Sequence, residues 1–305
     1  EGIVEEFIKD IPDVEIILLL YQKGNNVHGI IHSIYNNEDV FFVGSAGFPV
    51  IEMSLDNKPC GCPNDPAGGQ YAYIVFRGLD ISGGSKGIDS RNSKYITIEN
   101  NKLHNLTGTG IEFTKQGGNR TDGRYPTGGH HLIRNNEVYH NVGGIHVKGE
   151  YSIIENNHAH HNYLAGYPFN SDGIAAAGDY ITIRNNLIHD NSDDGIDAGD
   201  GQANEGEFRG PIGNIIYGNV VYNNGCTYRW CGDGSGIKLE TLQGGLKPGG
   251  GFIVDNNIAF ANRLRGIDVS TRPGDQYPDI YFNNVVHDNA MSRDADVIVW
   301  EQVNV

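Results

Sequence analysis

Ile181-Thr-Ile-Arg-Asn-Asn-Leu-Ile-His-Asp-Asn-Ser-Asp-Asp-Gly-Ile-Asp197 contains both motifs from which the fold is read. It starts as an aliphatic alternation, Ile181 and Ile183, that runs into the pair Asn185-Asn186. It ends on a Gly-Ile unit, Gly195-Ile196, followed by a polar residue. Alternation with β-branched residues signals a strand with one buried face. Paired asparagines signal a turn.

Both motifs recur along the chain. The alternation with its turn returns at Ile96-Thr-Ile-Glu-Asn-Asn101, Leu132-Ile-Arg-Asn-Asn136, Ile153-Ile-Glu-Asn-Asn157, Ile215-Ile-Tyr-Gly-Asn219, Phe252-Ile-Val-Asp-Asn-Asn257 and Ile280-Tyr-Phe-Asn-Asn284. Tyr73-Ile-Val-Phe-Arg-Gly78 is a degenerate first copy. The Gly-Ile unit returns at Gly87, Gly110, Gly144, Gly173, Gly236 and Gly266, with steps of 23, 34, 29, 22, 41 and 30 residues along the series. The shortest steps set the repeat and the longer ones carry insertions, at 117–130, 163–171, 201–213 and 225–251.

Repeats of this length, with short strands and no helix, predict an all-β solenoid. Stacked in register they form a parallel β-helix whose coils lie roughly 4.8 Å apart. Asparagines at equivalent turns would form ladders, and the isoleucine of each Gly-Ile unit would stack in the core. Ahead of the repeats, Ile3, Phe7 and Ile8 share a helical face and Pro12 ends it, which predicts a short N-terminal capping helix over residues 1–10. Strand-like runs follow at 15–20, 40–43 and 50–53. The whole chain, 1–305, reads as one domain.

Composition narrows the function. The chain has 305 residues, 38% of them hydrophobic, with 43 Gly and 11 Pro. That is too apolar for disorder and long enough for a large core. The net charge of −16 argues against a nucleic-acid partner, which needs a basic surface. It would also repel a polyanion unless a local cation reverses the sign. No stretch reaches membrane-spanning length. Cys226 and Cys231 are close enough in sequence for a disulfide in an oxidising compartment, or remain reduced. Neither they nor Cys60 and Cys62 have the companions of a zinc site. The start at Glu1 fits a processed secreted protein and equally a tag-trimmed cytosolic one.

The candidate site follows from the register. With Ile pointing inward, the residue after it points away from the core. That column reads Glu112, His146, Ala175, Asp197, Lys238 and Asp268. The residue before each Gly gives a second column: Thr109, Gly143, Asp172, Asp194, Ser235 and Arg265. Asp172 and Asp194 then sit on adjacent coils, Asp193 lies at the bend beside them, and Asp197 neighbours Lys238. Carboxylates this close repel unless a cation lies among them. Hard oxygen ligands suit calcium, and the absence of Cys and His from the cluster argues against zinc or copper.

Four stretches of this chain carry a resemblance to a known family. Asn170-Ser-Asp-Gly173, Asp193-Asp-Gly-Ile-Asp197, Gly232-Asp-Gly-Ser-Gly-Ile-Lys-Leu239 and Gly266-Ile-Asp268 resemble the successive motifs of the family 9 polysaccharide lyases. These are calcium-dependent pectate lyases on a right-handed parallel β-helix. The resemblance covers about residues 165–290, the expected catalytic coils. It implies that Asp172, Asp193, Asp194 and Asp197 are calcium ligands and that Lys238 is the Brønsted base. It further implies β-elimination on an acidic polysaccharide, most simply pectate, by a secreted enzyme that we expect to be a monomer. An ordinary lysine, with a pKa of about 10.4, is mostly protonated at neutral pH, so activity should favour alkaline conditions. Arg265, Arg263 and Arg272 are placed to hold further sugar carboxylates, Asp268 flanks Lys238, and Trp230 offers a stacking face.

Two rivals remain at this level. Asn170-Ser-Asp-Gly173 with Asp193-Asp194 also resembles the paired carboxylates of the family 28 glycoside hydrolases, but neither a Gly-His-Gly-like coil nor an Arg-Ile-Lys follows. A non-catalytic carbohydrate-binding β-helix, cemented by calcium, is the other. His158, His160 and His161 read as surface histidines of a turn without acidic companions. Gly232, Gly234 and Gly236 precede no helical pattern, which excludes a nucleotide loop.

Overall fold

Each Asn-Asn pair divides its labour between backbone and ladder. In the computed structural model the first residue of each pair takes the left-handed conformation, with φ of 55° at Asn100 and Asn135 and 54° at Asn156 and Asn185. Asn and Gly tolerate this region best, which is why Gly218 (φ 66°) stands at the same place in one copy. The second residue turns inward and builds a ladder: Asn101, Asn136, Asn157, Asn186, Asn219 and Asn257 each donate Nδ2 to the Oδ1 of the next. Each Nδ2 also reaches a strand carbonyl, as Asn186 does to Ile154 O at 3.0 Å. These side chains are buried and bonded, so the polar groups at the coil corners are satisfied without water.

The structure describes residues 70–91, 93–114, 128–166, 170–199, 211–240, 250–270 and 279–289. It also describes the backbone of strands at 5–7, 16–23, 26–33, 38–45, 51–53 and 297–299. Three parallel sheets run the length of a solenoid, two of eight strands and one of nine. One coil shows the plan. Thr182–Arg184, Leu187–His189 and Ile196–Ala198 each belong to a different sheet. Each pairs in parallel with the equivalent strands of the coils before and after. Ile183, Ile188 and Ile196 point inward and are fully buried, and the same positions on other coils stack above and below them. The parallel β-helix expected from the repeats is therefore present.

A second ladder escapes the Asn-Asn motif. Asn141, Asn162, Asn191, Asn224, Asn262 and Asn289 are joined Nδ2 to Oδ1 in the same way or through backbone N–H. The residue before each is again left-handed, but its identity varies: His140, His161, Asp190, Asn223, Ala261 and Asp288. This ladder explains the glycines. A Cβ on Gly195 would collide with Val221, with the Gly236 carbonyl and with Nδ2 of Asn224. The Gly of each Gly-Ile unit is thus a close approach of two coils.

At the N-terminus the sequence expectation is overturned. The predicted capping helix over residues 1–10 is not what the described residues there form. Glu5–Phe7 is a strand, antiparallel to Ile16–Lys23, in a sheet completed by Asn26–Ser33 and Glu38–Ser45. A segment this short is not helical on its own, and the open edge of Ile16–Lys23 offers it backbone partners. No helix among the described residues is long and apolar enough to cross a membrane.

On the sheet that contains Leu187–His189, the outward rings form a continuous stack. His104, Tyr139, His160, His189, Tyr222, Phe260 and His287 follow one another at 4.7–5.2 Å between centroids, close to the strand spacing. Burial, then the neighbouring His158, His189 and His161, pushes His160 down to about 4. Burial does the same to His158 to a smaller degree. His160 is therefore neutral at physiological pH.

Candidate active site: a carboxylate cluster under a lysine

The Gly-Ile sheet carries the site. Its register pairs Ala175 with Asp197, Asp197 with Lys238, and Lys238 with Asp268, as the column reading predicts. Asp172, Asp194 and Asp197 each offer a carboxylate oxygen within 4.8 Å of the others, and all three are buried. Their positions differ from the sequence picture in one respect. The column is turned away from the isoleucine core, but Asp197 and Asp268 on it are buried, and segments 170–173 and 232–235 lie against the neighbouring Asp193 and Asp194.

Each carboxylate has a distinct role. Asp172 Oδ1 accepts from Asp194 N at 3.1 Å, which ties two coils together. Asp194 Oδ1 accepts from Ser235 N at 2.6 Å. Its Oδ2 is sealed from water and accepts no hydrogen bond, with Lys238 Nζ 3.3 Å away. Asp197 Oδ2 lies 3.7 Å from the same ammonium. Asp193 does not join the three. Its Oδ2 accepts from Asn170 N at 2.5 Å and its Oδ1 from Asp233 N at 2.7 Å, so it braces the two covering segments. A Cβ on Gly232 would collide with Asp193, which accounts for the glycine there.

The electrostatics are unfavourable for the chain alone. Burial, then the neighbouring Asp197, Asp193 and Asp194, raises Asp172 well above the ordinary 3.8. Burial raises Asp194 in the same way, against the opposing pull of Lys238. Burial also raises Asp193, against its two backbone N–H partners. One lysine does not compensate this many buried carboxylates. Buried charge needs a partner, and a sealed oxygen without a hydrogen bond needs an explanation. The donor set is all oxygen and fits a hard divalent cation.

The other expected site residues separate into two groups. Arg265 and Asp268 face each other, with NH1 2.6 Å from Oδ2, and Asp268 also accepts from Ser235 Oγ at 3.3 Å. Arg263 NH1 donates to the Gly232 carbonyl and its side chain packs on Gly225 and Gly234, so it holds the covering segment in place. Trp230 sits on a hairpin closed by a disulfide between Cys226 and Cys231. It lines an open cleft with Tyr163, Ala165, Tyr228 and Arg229. That hairpin is docked beside the cluster, since Gly232 N donates to Ser192 O at 2.6 Å. Arg272, Cys60 and Cys62 lie outside the described residues.

One residue near the lysine had no assigned role in the sequence reading. Asp233 Oδ2 lies 3.8 Å from Lys238 Nζ, and its side chain is about half exposed. The signal was its place inside Gly232-Asp-Gly-Ser-Gly, but an exposed Asp between glycines also reads as a turn former. The Lys238 side chain is 17% exposed, with its amine against Asp194 and Asp197.

Among solved structures, an alginate lyase from Paenibacillus sp. str. FPU-7 aligns over 72% of this chain and 77% of its own, at 12% identity and a TM-score of 0.35. No curated protein matches the chain. A family model described as a right-handed β-helix region matches residues 118–290, more than half of the chain, and the repeated coils, parallel sheets and stacked cores of those residues agree with it: the chain belongs to the right-handed β-helix family.

Proposed function

We propose that this chain is a calcium-dependent polysaccharide lyase of the family 9 type, which cleaves a uronic-acid polymer, pectate or polygalacturonate, by β-elimination. The observation that carries the reading is the placement of Lys238. Its amine lies 3.3 Å from buried Asp194 and 3.7 Å from buried Asp197, and its side chain is partly exposed. An amine there can meet a proton beside a sugar carboxylate that is itself drawn to a cation.

Asp172, Asp194 and Asp197 would hold the calcium, with Asp193 fixing the loops around them. When bound, the cation neutralises the substrate carboxylate and acidifies the proton on the adjacent carbon. Lys238, in its neutral form, takes that proton onto Nζ. The electron pair left on carbon forms a double bond to the neighbouring ring carbon. The bond from that carbon to the glycosidic oxygen breaks, and the oxygen leaves with the pair and takes a proton from water. Asp194, fixed by Ser235 N, holds the amine in place. Arg265, whose NH1 is paired with Asp268, would hold a second sugar carboxylate through the rest of its guanidinium. Trp230 and the tyrosines beside it would stack on a sugar face. The Cys226–Cys231 disulfide fits a secreted enzyme.

The test is absorbance of the unsaturated uronide on a panel of pectate, polygalacturonate and alginate, with calcium and with EDTA. A calcium-dependent rise on one uronan is expected. Release of reducing ends without that absorbance, insensitive to EDTA, would assign a hydrolase instead. No cleavage of any uronan would leave a binding surface.

A further inference from the structure

We propose that His158, His160 and His189 form a binding site for a divalent transition-metal cation of the zinc, copper or nickel class. It lies on a different sheet from the carboxylate cluster. The sequence reading left His158, His160 and His161 in a turn without acidic companions, and the structure corrects both points. His158–His160 is a strand, Glu137 and Asp190 lie beside it, and His189 joins from the next coil.

One nitrogen from each of the three rings lies within 4.8 Å of the other two. Nε2 of His158 and Nε2 of His189 are 2.8 Å apart. Metal–imidazole bonds of about 2.0–2.1 Å place two donors roughly 2.9–3.4 Å apart, depending on the angle at the metal. The rings need only separate by a few tenths of an ångström. Ring stacking accounts for His160 and His189, which lie in the aromatic column at 9° to each other. It does not account for His158, which is tilted by 41° to His189 and directs its nitrogen at the column from the side.

The proton inventory favours ligation. His189 Nδ1 lies 2.6 Å from Asp190 Oδ2, and a carboxylate only accepts. The proton of neutral His189 is therefore on Nδ1, and its Nε2 lone pair accepts from His158 Nε2–H at 2.8 Å. A metal entering there takes the place of that proton, and His158 offers its Nε2 lone pair in the other tautomer, with the proton on Nδ1. A carboxylate behind a histidine is the usual support of a metal ligand. His160 Nδ1 is engaged by His161 Nδ1 at 2.8 Å. Its Nε2 is sealed from water and faces Glu137, whose Oε1 is 3.6 Å away. Neutral imidazoles suit zinc, copper and nickel and are poor ligands for calcium. Because the ligands come from two coils, the metal would tie them together.

The experiment uses the full chain, stripped with chelator and then held in excess calcium so that the carboxylates are masked. It is titrated with Cu²⁺ and, separately, with Zn²⁺. We expect one Cu²⁺ per chain with nitrogen hyperfine structure in the EPR spectrum, and a rise in Tm with Zn²⁺. His158→Gln should weaken binding at least tenfold, and Asp190→Asn about 10- to 100-fold, while Asp197→Asn changes neither. An EPR spectrum of oxygen ligands alone overturns the proposal. So does binding that survives His158→Gln and is lost in Asp197→Asn. His189→Gln removes a member of the ring stack, so if it fails to fold, the EPR spectrum of the parent and the His158 variant decide.

Discussion

Lys238 Nζ lies 3.3 Å from Asp194 Oδ2, and the two residues come from neighbouring coils, Asp194 just ahead of the strand Ile196–Ala198 that pairs with the lysine's own. The carboxylate is fully buried and the lysine is partly open. This asymmetry makes the pair more than a surface ion pair, since one partner cannot leave for water.

Lys238→Ala should lower the rate of unsaturated-product formation by roughly 100- to 10,000-fold, the usual contribution of a positioned base. Lys238→Arg keeps the positive charge among Asp194, Asp197 and Asp233 but stays protonated. It should be equally inactive with a nearly unchanged Tm in calcium. A parent-like rate in either variant removes Lys238 from the mechanism. For the parent, the rate should climb with pH, because only the deprotonated amine accepts a proton.

Asp172→Asn and Asp197→Asn should each raise the calcium concentration needed for half-maximal activity at least tenfold. Isothermal titration with calcium checks this apart from activity. Asp193→Ala acts differently, since it leaves Asn170 N and Asp233 N without their acceptor. It should cost about 2–4 kcal/mol of stability, read by denaturant unfolding.

The metal-stripped protein should be most stable in acid. Burial and mutual repulsion raise Asp172 and Asp194 above the ordinary 3.8, so in the window above that value the folded state binds more protons than the unfolded one. Stability is then fully present below about pH 4 and is lost as pH rises through the raised folded pKa. Thermal melts in EDTA from pH 4 to 8 should show a falling Tm. Excess calcium should flatten that fall, by binding the ionised form.

Asn191→Ala should cost about 2–4 kcal/mol. It removes the acceptor for Asn162 N and Asn162 Nδ2 and the donors to the Ala159 and Asn224 oxygens, all buried. Asn185→Ala, at an exposed left-handed turn position with φ of 54°, should cost only about 1 kcal/mol, through backbone strain. Denaturant melts of the two variants separate ladder from turn.

The repeat period, the inward isoleucines, the Asn185-Asn186 turn and the pairing of Asp197 with Lys238 were all legible in the sequence. Each depends only on strand alternation and on coils stacking in register, which are local rules repeated seven times. The first residues were misread because eight residues with Ile3, Phe7 and Ile8 satisfy a helical face and a strand alike, and the neighbouring strand decided between them. The second asparagine ladder was hidden because its left-handed position accepts His140, Asp190 or Ala261, so no dipeptide marks it. Only the tertiary structure turned Asp193 onto Asn170 and Asp233, brought Asp233 to Lys238, paired Arg265 with Asp268 and set His189 against His158. Apart from the short Arg265–Asp268 and Asp233–Lys238 steps, these contacts join residues separated by insertions and covering loops, and no periodicity encodes where such a loop comes to rest.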